Sequence, residues 1–68
     1  MIYEIDVTIN NSPTRVRKWG YIFEAESAAD AIDQALNNAR VKADRPHSRY
    51  RKCTFTVEPG DCRERPDW

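Results

Sequence analysis

Residues 21–39, YIFEAESAADAIDQALNNA, change their hydrophobic period in mid-passage, and that change constrains the fold more than any other feature of the chain. Tyr21, Phe23 and Ala25 alternate as on one face of a strand, whereas Ala28, Ala31, Ile32, Ala35, Leu36 and Ala39 recur at helical spacing. Ser27 stands between the two periods as an N-cap. Asp30 follows three residues on, a shortened form of the capping box whose usual third residue is Glu or Gln. Glu26, Asp30 and Asp33 lie near the positive end of the helix dipole, and Arg40 and Lys42 near its negative end, so periodicity and electrostatics specify the same helix. Asn37 and Asn38 are weak helix formers, which predicts fraying before Lys42. The apolar stripe is mostly alanine: it permits close approach to a sheet but adds little apolar area per residue.

Residues 2–9 alternate, with Tyr3, Ile5, Val7 and Ile9 on one face and Ile2, Glu4, Asp6 and Thr8 on the other, the pattern of a half-buried strand. Asn10, Asn11, Ser12 and Pro13 supply turn chemistry, so a hairpin follows. Residues 14–25 are long for one strand. Val16 and Ile22 fall on the opposite parity to Trp19, Tyr21 and Phe23, and a bulge at Gly20 is the expected reconciliation. Pro46 stops a loop at 44–48, and residues 50–58 alternate again with Cys53, Phe55 and Val57 inward. Pro59 and Gly60 end that strand. Residues 61–68 are polar apart from Trp68, expected to pack back over an underfilled sheet. The predicted architecture is α+β: an antiparallel three-stranded sheet in the order strand, strand, helix, strand, with the helix packed on one face. It forms a single domain over residues 1–58, followed by a polar C-terminal tail, 59–68.

A chain of 68 residues buries only about 60% of the surface it exposes when unfolded, so one thin core is the limit. No stretch approaches the ~20 apolar residues of a membrane span, and the chain opens directly on a strand pattern, so a soluble, cytoplasmic protein is expected. Cys53 and Cys62 are too few for a disulfide scaffold and are expected to be reduced, Cys53 as a small buried hydrophobe and Cys62 as a thiol in the tail. Cys53, Cys62 and His47 fit no recognised zinc spacing, and Gly20 and Gly60 alone cannot make a phosphate-binding loop, so neither metal nor cofactor is expected. His47 lies in a polar loop with no nucleophile motif to serve. Glu4 and Asp6 are expected to pair with Arg15 or Arg17 across the hairpin instead of working as catalytic carboxylates, and no enzyme activity is expected.

A net charge of zero conceals segregation. Within residues 40–52, Arg40, Lys42, Arg45, Arg49, Arg51 and Lys52 stand against Asp44 alone, whereas Glu24, Glu26, Asp30 and Asp33 make residues 24–33 acidic. The candidate contact residues are Arg15, Arg17, Lys18, Trp19, Arg45, Arg49, Tyr50, Arg51 and Lys52. Cations beside aromatics suit a docking interface, or phosphate neutralisation with base stacking. The same residues also describe a solvated sheet edge guarded against aggregation.

Phe23-Glu24-Ala25-Glu26-Ser27, followed by Ala31-Ile32 and Ala35-Leu36, resembles very small phage-encoded inhibitors of host machines. Compact one-helix anti-CRISPR proteins and the podovirus inhibitor of bacterial RNA polymerase share this strand, acid-rich cap, alanine-rich helix and returning strand, and the likeness in pattern covers residues 14–58. The resemblance implies a stoichiometric inhibitor in the bacterial cytoplasm, foremost an anti-CRISPR, that occupies a surface on a larger protein or ribonucleoprotein complex. It carries over no functional residue. Two other readings stand beside it: direct nucleic-acid binding through Arg45, Arg49, Arg51 and Lys52 with Arg15 and Arg17, and assembly through a sheet edge.

Overall fold

The computed structural model describes residues 1–66, which form β1 (Ile2–Asn10), β2 (Lys18–Glu24), α1 (Ala28–Ala43), β3 (Thr54–Thr56) and β4 (Cys62–Glu64). Every strand pair is antiparallel, and β1 is central, with β2 on one side and both β3 and β4 on the other. The fold is α+β, a sheet with one helix packed on it. Trp68, expected over the sheet, lies outside the described residues.

β1 is buried as its alternation requires: Tyr3, Ile5, Val7 and Ile9 are at most 6% exposed. Its ladder to β2 runs unbroken from Ile2↔Glu24 to Thr8↔Lys18, so no bulge forms at Gly20. The phase conflict resolves differently. Val16 lies outside the strand, and Ile22 stays on the open face of the sheet, 54% exposed. Residues 11–17 are the hairpin connection instead of strand. Asn11 there adopts φ 61, Ser12 Oγ donates to the Val16 carbonyl at 2.6 Å, and Arg17 Nη1 donates to the carbonyls of Ser12 and Thr14.

The other side of β1 departs furthest from expectation. β3 pairs as Thr8↔Thr56, Ile9↔Phe55 and Asn10↔Thr54, and in that register Ile5 would face Pro59; it faces Cys62. Glu58, Pro59 and Gly60 are looped out, the turn closed by Asp61 N–H to the Glu58 carbonyl (3.0 Å) with Gly60 at φ 89. The Asp61 carbonyl then accepts from Asp6 N–H at 2.9 Å and rejoins the ladder. An odd-numbered excursion reverses strand parity, so Phe55 and Cys62 both pack against the core. The sheet therefore continues into the segment expected to be a polar tail, and Cys62 is a half-buried free thiol whose pKa is raised by burial, against the pull of Arg63. The strand expected over 50–58 shrinks to β3, because Tyr50, Arg51 and Lys52 form turns.

Ser27 caps α1 as predicted, its Oγ accepting from Asp30 N–H at 3.2 Å, although among the described residues the reciprocal bond to the Asp30 carboxylate is absent. Ala31, Ala35, Ala39 and Ala43 form a fully buried row at four-residue spacing. Ala28 is exposed, outside the stripe expected to include it. The helix does not fray before Lys42. It reaches Ala43 because that residue is buried and Asp44 N–H closes on the Arg40 carbonyl at 3.0 Å. On the open face, Arg63 from β4, not Arg15 or Arg17, binds Glu4 and Asp6. The β2 residues opposite those acids are Ile22 and Gly20, and both predicted arginines lie beyond the Thr8↔Lys18 end of the ladder.

Candidate docking site at the basic end

Trp19 organises one end of the molecule. Its position opposite Val7 turns the indole toward the helix side, where it stacks near Phe55 of β3 (centroids 5.4 Å) and meets the Tyr50 ring edge-on at 4.9 Å. Lys42 from the last turn of α1 places Nζ 4.3 Å from the indole centroid, a cation-π contact. Tyr50 also exchanges a 2.8 Å hydrogen bond with Thr14 Oγ1, and Cys53 Sγ donates to the Asn11 carbonyl at 3.5 Å. These contacts bind the hairpin connection, residues 11–17, to the helix–strand connection, residues 44–53. Arg15 from one segment and Arg45, Arg49, Arg51 and Lys52 from the other therefore share one end of the protein.

Arg40 sets the shape of the second connection. Its Nη1 donates to the Cys53 carbonyl at 3.0 Å, its Nη2 to the Arg51 carbonyl and to Asp44 Oδ1, both at 2.9 Å, and its guanidinium lies 5.2 Å from the Phe55 centroid. A planar donor fork suits this task, since carbonyls two residues apart are held at once. Spacing to Asp44 at i,i+4 was the only trace of this role in the sequence. The Thr14–Tyr50 bond left no trace, because nothing local relates residues that far apart.

The predicted site residues thus divide by what already occupies them. Arg17 is tied to its own turn, and Lys18 pairs with Asp61 at 2.7 Å, chiefly through a hydrogen bond that raises its ammonium pKa. Trp19 and Tyr50 are half-buried in the aromatic cluster, so neither is an open stacking platform. Arg15, Arg45, Arg49, Arg51 and Lys52 remain: all are exposed, and among the described residues no acid pairs with their side chains. Ser48, Arg49, Arg51 and Lys52 line an open groove there. The loop reverses at His47, which takes φ 65, a conformation that histidine adopts more readily than most residues.

Such an arrangement of exposed guanidinium and ammonium donors is chemically suited to anions. His47 and Cys53 lie in or beside this loop, but Cys53 is buried under it, and among the described residues no three His, Cys, Asp or Glu side chains are grouped to hold a metal. No described helix is long and apolar enough to cross a membrane. Comparison with protein-family models, with curated proteins and with solved structures returns no match to the chain.

Proposed function

We propose that the protein is a non-catalytic binding module that lays its basic end on an anionic surface of a larger bacterial assembly handling nucleic acid, and inhibits that assembly by occupying the surface. The supporting observation is the cluster of exposed cations without acid partners among the described residues: Arg45, Arg49, Arg51 and Lys52 on a loop that Arg40 and Trp19 hold in one shape, with Arg15 on the hairpin connection beside it. Charges in this state steer encounter and add affinity on docking, whereas charges already paired within the fold contribute less. A preformed loop lowers the ordering cost of binding. The phage-inhibitor pattern of residues 14–58 gives the proposal its specific form, an anti-CRISPR that denies its target access to nucleic acid. Direct binding of nucleic acid is disfavoured as the main role, because both aromatics at this end are engaged in packing and leave phosphate contacts alone.

The test is affinity capture from nuclease-treated bacterial lysate with the tagged protein and its Arg49→Glu/Arg51→Glu variant, alongside a mobility-shift titration on single- and double-stranded nucleic acid at low salt. The proposal expects a multisubunit complex retained by the parent chain and lost by the variant. A tight, steeply salt-sensitive shift with no protein complex captured would transfer the function to nucleic-acid binding.

A further inference from the structure

The two edges of the sheet are guarded unequally. The β3–β4 edge consists of two short strands separated by the Glu58-Pro59-Gly60 excursion, which no neighbouring strand can follow. β2 is an unbroken seven-residue strand with no proline and no bulge, and among the described residues nothing pairs with its outer side. Ile9 N–H bonds to the Arg17 carbonyl and Ala25 N–H to the Met1 carbonyl, so the odd-numbered residues of this ladder direct their main-chain groups to β1. Lys18, Gly20, Ile22 and Glu24 consequently turn their N–H and C=O outward, and all four residues are exposed. α1 packs on the sheet face that carries Trp19, Tyr21 and Phe23, and the alternate residues Lys18, Gly20, Ile22 and Glu24 stay exposed.

The edge is complementary to itself. When two copies run antiparallel about Tyr21, Lys18 faces Glu24 of the second copy and Ile22 faces Gly20 of the second copy. The outward main-chain groups then fall opposite one another in hydrogen-bonding pairs. Gly20 offers room on the open face, where a Cβ would meet only Asp6 Oδ1 at 3.6 Å, and Ile22 supplies the apolar side chain to cover it. On the helix side, Trp19 comes opposite Phe23 and Tyr21 opposite its own copy, aromatic pairings that favour antiparallel strands. Glu24 has no ion-pair partner among the described residues. Lys18 binds Asp61 but keeps a 48% exposed side chain with three donors, enough to serve both acids.

We propose that the protein forms a two-fold symmetric dimer by antiparallel pairing of its β2 edges, in the register that sets Lys18 opposite Glu24 of the second copy. Both helices then lie on one face of a continuous sheet and the two basic ends point apart, so the inference goes beyond the docking proposal and uses a separate surface. Pairing of one strand buries little area, and the expected Kd is on the order of 10–100 µM.

Sedimentation velocity from about 5 to 500 µM tests it. The parent chain should pass from monomer to dimer across that range. Lys18→Glu and Glu24→Lys should each remain monomeric, because each sets like charges opposite one another, and an equimolar mixture of the two should recover a heterodimer in which both pairs attract. Ile22→Pro, which removes an outward N–H and no bond to β1, should also abolish the dimer while circular dichroism stays native. A monomeric parent chain, a dimer that survives these single changes, or a mixture that fails to associate would overturn the proposal. Arg49→Glu/Arg51→Glu should leave self-association unchanged, so failure of one proposal is distinguishable from failure of the other.

Discussion

Replacing Arg40 by Ala should unfold the basic end first and destabilise the whole domain severely. The guanidinium makes charge-assisted bonds to the Cys53 and Arg51 carbonyls, each worth about 1.5–3 kcal/mol in a protected setting. Its side chain is 40% exposed, and solvent screening brings the two bonds below that range, to about 2–3 kcal/mol together. The exposed Asp44 pair adds about 0.3–0.5 kcal/mol and the contact over Phe55 about 0.5. A loss of about 3 kcal/mol is most of the stability of a domain this small, and in urea it should move the midpoint by about 2–3 M. Arg40→Lys should recover less than about half, since one ammonium cannot reproduce the fork. Urea unfolding followed by far-UV circular dichroism measures both variants, and amide exchange at Arg51, Lys52 and Cys53 reports the local effect. A loss below about 1 kcal/mol, the size of an ordinary surface change, would refute the assignment of Arg40 as the clamp of this loop.

Tyr21→Phe should stabilise the protein by about 1 kcal/mol or leave it unchanged, because the Tyr21 hydroxyl is buried without a hydrogen-bond partner among the described residues and burial already raises its pKa; thermal melts would show a clear decrease in Tm if this is wrong. Ser27→Ala should cost about 1 kcal/mol through loss of the bond from Asp30 N–H, read from the urea midpoint, and Ser27→Asp should restore most of it. The hydrogen bond from Arg63 holds the Glu4 carboxyl below its ordinary value, so the stability it contributes is full above the unfolded-state pKa near 4.5 and disappears as pH falls through the lower folded value. Unfolding curves from pH 7 to pH 2 should therefore be flatter for Glu4→Gln than for the parent chain, and identical slopes would contradict this pairing.

Much of the fold was legible because it is written locally. The alternation of Tyr3, Ile5, Val7 and Ile9 and the alanine row with Ser27 before it each needed only neighbouring residues, and both appear in place. β4 was hidden because the Glu58-Pro59-Gly60 excursion shifts Cys62 out of phase with Phe55, so a three-residue strand that turns Cys62 to the core reads as polar tail. The bulge expected at Gly20 came from forcing Val16 into a strand that begins at Lys18. Segregation of charge marks the basic segment, yet composition cannot separate cations the fold uses from those it leaves exposed. Arg17 and Lys18 depend on Ser12, Thr14 and Asp61, and Asp61 arrives only through the rejoined ladder.

In the proposed function the exposed cations of the 44–53 connection act as a contact surface rather than as solvated edge. The most direct test is the affinity of the captured assembly for the parent chain and for the Arg49→Glu/Arg51→Glu variant, measured by surface plasmon resonance with circular dichroism to show that both are equally folded. Two charge reversals inside an interface should weaken binding by about tenfold or more, mostly through slower association at low salt. Affinity unchanged within about twofold would mean that these arginines are ordinary solvated surface and that the basic end is not where this protein works.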